Sequence, residues 1–365
     1  MNPAQAVAFG KFGARQRRTI AAAAESASLS LHVAASEDEA ARLIEETEPS
    51  ALLLGCSDEE PEPIAINARA SVKNAQLPIL ALTANVSDLS FESAFSWGAD
   101  DVVALSSAHP LTRRLRALPR SSSGVLPTSR GEALVAEGER TRRLLVGRVL
   151  RNAGYSVTFA ATSEDAQSYA QNPTLDLVVL GDGLSDEPRR LIEGARDAGS
   201  KAKWVVTCPP RELRQRREAL RGLLRVRATD AFAPPEDVLF LCNELESDRV
   251  GNQRTSPRIL YGTSVGFRGA GRHEDDYGFT YNVSAGGVYV RTLVPPEDDM
   301  VWLELCPPRS NARVRLVGRI AWRRGFGPNQ RATVPPGFGA AIVDTARADM
   351  EAWKASYEML AEALG

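Results

Sequence analysis

Two groups of residues in the last third of this sequence have the types and spacing of a binding site. Arg254 and Arg258 stand four apart in RTSPR, and Asn282, Ser284, Gly286 and Gly287 fall together in YNVSAGG. A guanidinium presents five donors in a planar fork, which meets phosphate oxygens or the O6/N7 edge of guanine two bonds at a time. Asn282 brings donors and an acceptor, and Ser284 brings both in one hydroxyl. Paired glycines let a backbone bend sharply or let a flat group approach it closely. Taken alone, YNVSAGG reads equally well as a hairpin turn with a local side-chain bond. RxxxR is also common here, recurring at Arg217/Arg221, Arg268/Arg272 and Arg315/Arg319. The order carries the weight: an arginine pair, a strand-like run, then the polar-glycine bend 28 positions after Arg254.

The charge around these residues is uneven. The chain of 365 residues has a formal net charge of −2, yet Asn252 to Thr345 holds twelve arginines, eight acids and no lysine, a net +4. Such a segment is either a solvated basic face or a surface selected for the arginine fork.

The elements that must hold these groups are short strands. ILYGTSVGFR, YGFTYNVS, GGVYVRTL, MVWLELC, ARVRLVGRIAWRR and GFGAAIVD are strand-like runs separated by Gly, Pro and acidic turns, a pattern that predicts a six-stranded β-barrel. Tyr277, Phe279 and Tyr281 alternate, as a core-facing strand or an open base-stacking stripe would; the core face is preferred. A helix closes the chain, with Met350, Trp353, Tyr357, Leu360 and Leu364 on one face, expected to pack on the barrel. RxxxR followed by NxSxGG and a barrel resembles the PilZ domain, a bacterial receptor module for cyclic di-GMP. The resemblance spans residues 252–345, including GRIAWRR and PPGFGAAIVD. It implies that Arg254, Arg258, Asn282, Ser284, Gly286 and Gly287 bind cyclic di-GMP, with Gln253 before the motif favouring one ligand per chain.

The first two thirds of the chain repeat. LHVAASEDEAARLIEETEPSALLLGC from Leu31 is matched by VTFAATSEDAQSYAQNPTLDLVVLGD from Val157, and Gly55 and Gly181 correspond at an offset of 126. Each copy alternates short apolar strands with helices, which implies a parallel sheet covered on both faces. Ser36 with Glu39 is a helix-opening signature. Both copies resemble receiver domains of two-component signalling, with the chemistry degraded. That family needs acids after its first strand, an acceptor aspartate after its third and a lysine after its fifth. The first copy has GKFG where the acids belong; the second has Glu137 and Glu139. Gly55 and Gly181 fall on the acceptor column, with Asp182 one residue on, while Thr83 and Thr207 match the family threonine. Leu105 and Pro234 stand near the lysine position, and neither copy has a lysine there. Without that counter-charge, transfer of a phosphoryl group is not expected in either copy, and a scaffold role in dimerisation or partner docking is.

The expected organisation is therefore multidomain: two α/β receiver-like (flavodoxin-like) units at 1–120 and 132–248 joined by a linker at 121–131, then the barrel and helix at 252–365. Hydrophobic residues make up 43 % and charged residues 25 %, a globular composition. No apolar run is long enough to span a bilayer and no secretion signal opens the chain, so a cytoplasmic protein is expected. Cys56, Cys208, Cys242 and Cys306 are scattered, and His32, His109 and His273 are isolated: His32 in a strand, His109 in a loop before Pro110. Neither a metal site nor a catalytic constellation is expected, and no cofactor beyond the ligand. The readings kept open are a cyclic di-GMP effector, a ligand-independent adaptor with a protein partner, and a basic barrel binding nucleic acid.

Overall fold

The computed structural model describes residues 4–56, 63–71, 76–118, 128–247, 256–272, 274–326 and 333–364. The first unit runs β1 (Ala4–Phe9), α1 (Ala14–Ser26), β2 (Leu29–Val33), α2 (Glu37–Thr47), β3 (Ala51–Gly55), α3 (Pro63–Ala70), β4 (Ile79–Thr83), α4 (Asp88–Ser96), β5 (Asp101–Ala104) and α5 (Ala108–Ala117). Its sheet is parallel, in the order β2-β1-β3-β4-β5. The apolar runs ALLLG and ILALT form the central strands, buried on both faces between helices. Ser36 opens α2 as its spacing predicts, its hydroxyl accepting from the Glu39 amide at 3.2 Å.

The second unit repeats this order. It comprises β6 (Gly131–Ala136), α6 (Arg140–Asn152), β7 (Tyr155–Ala160), α7 (Ser163–Ala170), β8 (Leu175–Leu180), α8 (Pro188–Asp197), β9 (Lys203–Cys208), α9 (Leu213–Ala219), β10 (Val226–Asp230) and α10 (Glu236–Ser247). Its strand order, β7-β6-β8-β9-β10, is the first unit's order displaced by five strands. Repeat and fold agree, and both units have the receiver topology.

The third unit is antiparallel. A two-residue strand β11 (Ile259–Leu260) precedes β12 (Ser264–Gly269), β13 (Asp276–Ser284), β14 (Gly287–Arg291), β15 (Met300–Leu305), β16 (Val314–Arg324) and β17 (Gly337–Val343), and α11 (Arg347–Leu364) follows. The six strands β12–β17 close into a barrel because β13 pairs with both β12 and β14. ILYGTSVGFR is thus two strands, with β11 added to the end of β13. Trp353 and Tyr357 are buried against the barrel core, with Leu360 packed beside them.

The barrel lies against both receiver-like units. On the first, Arg114 is buried between Asp101 (3.2 Å) and Asp276 (2.5 Å), and Arg113 also holds Asp276 at 2.8 Å. Phe279 stacks on Phe91 with centroids 5.1 Å apart, and Asp88 accepts from the Ser264 amide at 2.6 Å. On the second, Tyr281 meets Phe240 edge-on at 5.9 Å and its hydroxyl donates to the Glu236 carbonyl. The two α/β units meet through α3 and α6, where Asp100 pairs with Arg69 at 2.7 Å and Arg148 at 3.0 Å.

Two expectations are corrected here. Phe279 and Tyr281 face out of the barrel, where the neighbouring units cover them, so they are neither barrel core nor an open stacking stripe. Only Tyr277 of the three is exposed, at 40 %. His109 lies in the first turn of α5, within 3.5 Å of Glu274, because the following proline suits an opening helical turn.

Candidate functional site

The strand pairing brings half of the arginine motif to the polar-glycine bend. Ile259 pairs with Val283 and Leu260 with Asn282, so the antiparallel register continues Arg258 across from Ser284. Arg258 is exposed. The residue before it is tied to the closing helix, since the Tyr357 hydroxyl donates to the Pro257 carbonyl at 2.7 Å. Arg254 lies outside the described residues, as do Gln253 and His273.

Asn282 is 6 % exposed, and its amide makes no side-chain hydrogen bond among the described residues. Neither amide atom is among the buried side-chain atoms that lack a partner, so the polar end of Asn282 reaches the surface, where a ligand can meet it. Ser284 makes the local bond of the turn reading, its hydroxyl donating to the Gly287 carbonyl at 3.4 Å. The two glycines differ in purpose. A Cβ on Gly287 would stand 2.9 Å from the Ala340 carbonyl oxygen of β17, so this glycine lets two strands approach. A Cβ on Gly286 would meet nothing within 4 Å, which leaves an open surface beside Ser284. Neither glycine takes a positive φ. A phosphate or guanine edge at this end of β13 would meet an arginine fork, an unpaired amide and a bare backbone within two neighbouring strands.

β14 connects this end of the barrel to the meeting point of all three units. It starts at Gly287 and ends at Arg291, whose guanidinium lies 3.6 Å from the centroid of the Phe95 ring and 3.3 Å from Glu236. Arg291 is 4 % exposed. Sequence reasoning passed over it, although a lone arginine in the apolar run GVYVR is the available signal. Nearby, burial pushes the Asp237 carboxyl up to about 7, with Arg291 and Arg142 opposing and Glu236 reinforcing.

The two receiver clefts are filled. In the first, Phe12 occupies the acceptor position: a Cβ on Gly55 would lie 3.3 Å from its ring and 3.3 Å from the Gly10 Cα. In the second, the Glu137 carboxylate fills the space above Gly181, where a Cβ would stand 2.5 Å from Oε2. Burial pushes the Glu137 carboxyl up. Glu139 is spent as the N-cap of α6, accepting from the amides of Thr141 and Arg142. Arg142 donates to the Ala233 carbonyl, on the loop where a receiver carries its lysine. Asp182 is exposed to one side. The residues present do not fit the divalent metal that receiver chemistry uses. Among the described residues no group of three or more metal-ligating side chains converges.

No family model and no curated protein matches the chain. Solved structures do resemble parts of it. The Bacillus subtilis inhibitor of motility MotI/DgrA is 15 % identical over 31 % of this chain and 52 % of its own length, with a TM-score of 0.25. The chain thus spans about half of that relative. The chemotaxis response regulator CheY4 of Vibrio cholerae is 17 % identical over 32 % of this chain and 98 % of its own, at 0.28. The PilZ domain of CeSA from a cellulose-synthesizing bacterium is 20 % identical over 30 % and 98 %, at 0.21. Two receiver-like domains precede a PilZ-like barrel. At scores this low the strand orders decide the fold, and the likenesses accompany them.

Proposed function

We propose that this chain is a cyclic di-GMP effector of the bacterial cytoplasm. Its PilZ-like barrel takes the dinucleotide, and its receiver-like domains, which accept no phosphoryl group, serve as a scaffold for self-association or a protein partner. No catalytic step is assigned to it. The observation that carries the reading is the end of β13, where the register sets Arg258 across from Ser284 beside the unpaired Asn282 amide. A guanine edge or phosphate would complement the Asn282 amide and the planar Arg258 fork. Among the described residues no helix is long and apolar enough to cross a membrane.

Calorimetric titration of the full chain with cyclic di-GMP, using GTP and cyclic GMP as controls, tests this. Binding at one ligand per chain is expected. Arg254→Ala and Arg258→Ala should each cost about 1–3 kcal/mol, roughly ten- to a hundred-fold in affinity. Asn282→Ala should weaken binding, and Ser284→Ala less, since it loses one neutral hydrogen bond. Unchanged affinity in the folded Arg254, Arg258 and Asn282 variants would place the site elsewhere. No binding by the wild type would favour the ligand-independent adaptor.

A further inference from the structure

The second receiver-like unit carries a basic surface. Between Pro209 and Arg227 there are seven arginines against two glutamates, a net +5, on α9 and the edge strand β10. Arg211, Arg216 and Arg221 lie within reach of those glutamates. Arg214 and Arg217 are exposed and form no ion pair among the described residues. Two apolar side chains stand out beside them, Leu224 at 78 % exposure and Phe232 at 72 %. In the first unit the equivalent helix, α4, is covered by the barrel through Asp88 and Phe91. No hydrogen bond or ion pair among the described residues joins α9 to another unit.

A surface of opposite sign lies on the first unit. Ser36 to Glu48, which contains α2, holds six acids against Arg42, a net −5. Glu37, Asp38, Glu45 and Glu46 are exposed and form no ion pair among the described residues. The neighbouring β2 is also a sheet edge, and its Val33 is 43 % exposed. Both surfaces thus keep a net charge, equal in size and opposite in sign, and both are flanked by exposed apolar groups.

We propose that the α9 surface of one copy docks on the α2 surface of a second copy, head to tail. The contact joins unlike patches, so it extends into a chain unless its rotation closes a ring. A single exposed ion pair contributes little, so the association depends on several pairs acting together and weakens as salt screens them. A second copy is favoured over a polyanion because the matching surface sits on the same molecule, whose formal charge is −2. The proposal names the surfaces for the scaffold role given above. It makes no use of the ligand site, so its failure and that of the dinucleotide reading are separately visible.

Sedimentation velocity of the full chain at about 0.02 M and about 0.5 M salt tests it. The wild type should associate at low salt and disperse at high salt. Arg214→Glu/Arg217→Glu and Glu45→Arg/Glu46→Arg should each weaken association about ten-fold or more. An equimolar mixture of these two variants should associate where each alone does not, because the native α9 surface of one meets the native α2 surface of the other. Combining all four changes in one chain should restore association. If a charge reversal disturbs folding by circular dichroism, the Gln substitutions at the same positions replace it. A monomeric wild type at both salts overturns the proposal. So does a mixture that stays monomeric while the wild type associates, or a wild-type monomer that shifts a duplex DNA fragment through Arg214 and Arg217.

Discussion

Replacing Asp276 should loosen the barrel from the first receiver-like unit while leaving each unit folded. Asp276 is 5 % exposed and binds two guanidiniums, Arg114 at 2.5 Å and Arg113 at 2.8 Å. Arg114 itself is 1 % exposed, and its other carboxylate partner, Asp101, is fully buried and accepts from the Leu293 amide at 3.0 Å. In Asp276→Ala, Arg114 keeps Asp101 but loses its shorter contact, and Arg113 loses its ion pair. Removing one partner of a buried pair costs about 3–5 kcal/mol, because the surviving charge stays desolvated. Arg113 can turn towards water and Arg114 retains Asp101 and the Tyr277 carbonyl, so the lower end, about 3 kcal/mol, applies. Asp276→Asn keeps an acceptor and should cost about 1–3 kcal/mol. The units unfold in more than one step, so a global midpoint is a poor measure. Amide hydrogen exchange read by mass spectrometry is better: about 3 kcal/mol corresponds to exchange roughly 100-fold faster in β13 and α5. Unchanged protection of α5 and β13 in Asp276→Ala, with circular dichroism intact, would refute the reasoning.

Protonation of Asp237 stabilises the meeting point of the three units: its folded value of about 7 lies above the ordinary carboxylate range, so this contribution is full at low pH and is lost as pH rises towards and through about 7. Asp237→Asn should flatten that part of the wild-type stability profile in denaturant titrations at successive pH values, and an unchanged slope would contradict it. Asp100 runs the other way: burial pushes its carboxyl up, Arg69 and Arg148 outweigh that and hold it below its ordinary value, so its contribution is present above about 4 and lost on acidification. Limited proteolysis near α3 and α6 should therefore speed up below about pH 4. Acetyl phosphate with magnesium should leave the intact mass unchanged, and a stoichiometric adduct on Asp182 would overturn the filled-cleft argument. Gly287→Ala should destabilise the barrel, since its Cβ would press on the Ala340 carbonyl, whereas Gly286→Ala should fold normally; thermal melts of the two would separate them.

Much of the fold is legible because each unit writes its own period. Apolar runs such as LDLVVL can form buried parallel strands, and the 126-residue offset announces a duplicated unit. Arg258, Asn282 and Ser284 are legible as a group because local register, which follows from strand length and turn position, brings them together. What stays hidden comes from contacts between units. An alternating stripe such as Tyr277, Phe279 and Tyr281 reveals that one face is covered but not what covers it. Arg114, Asp276 and Arg291 are ordinary surface residues by type, and only the partner across the junction makes them structural. The filled clefts were half legible. Glycine in the acceptor column announces the loss, while the side chains that took the space, Phe12 and Glu137, are known only once the strands are assembled.

The outward-facing residues of the barrel have a practical consequence for anyone who would cut the chain into parts. Phe279, Tyr281, Tyr289 and Leu293 are each less than 5 % exposed here, and Phe279, Tyr281 and Leu293 pack against the α/β units. A fragment beginning just before β11 would place these side chains in water, together with an Arg291 stripped of Phe95 and Glu236. Such a fragment would carry an adhesive flank that the intact protein never presents, and its clumping would imitate a biological assembly. Dissection at this boundary therefore calls for surface substitutions on that flank, or for silencing the receiver-like units in place.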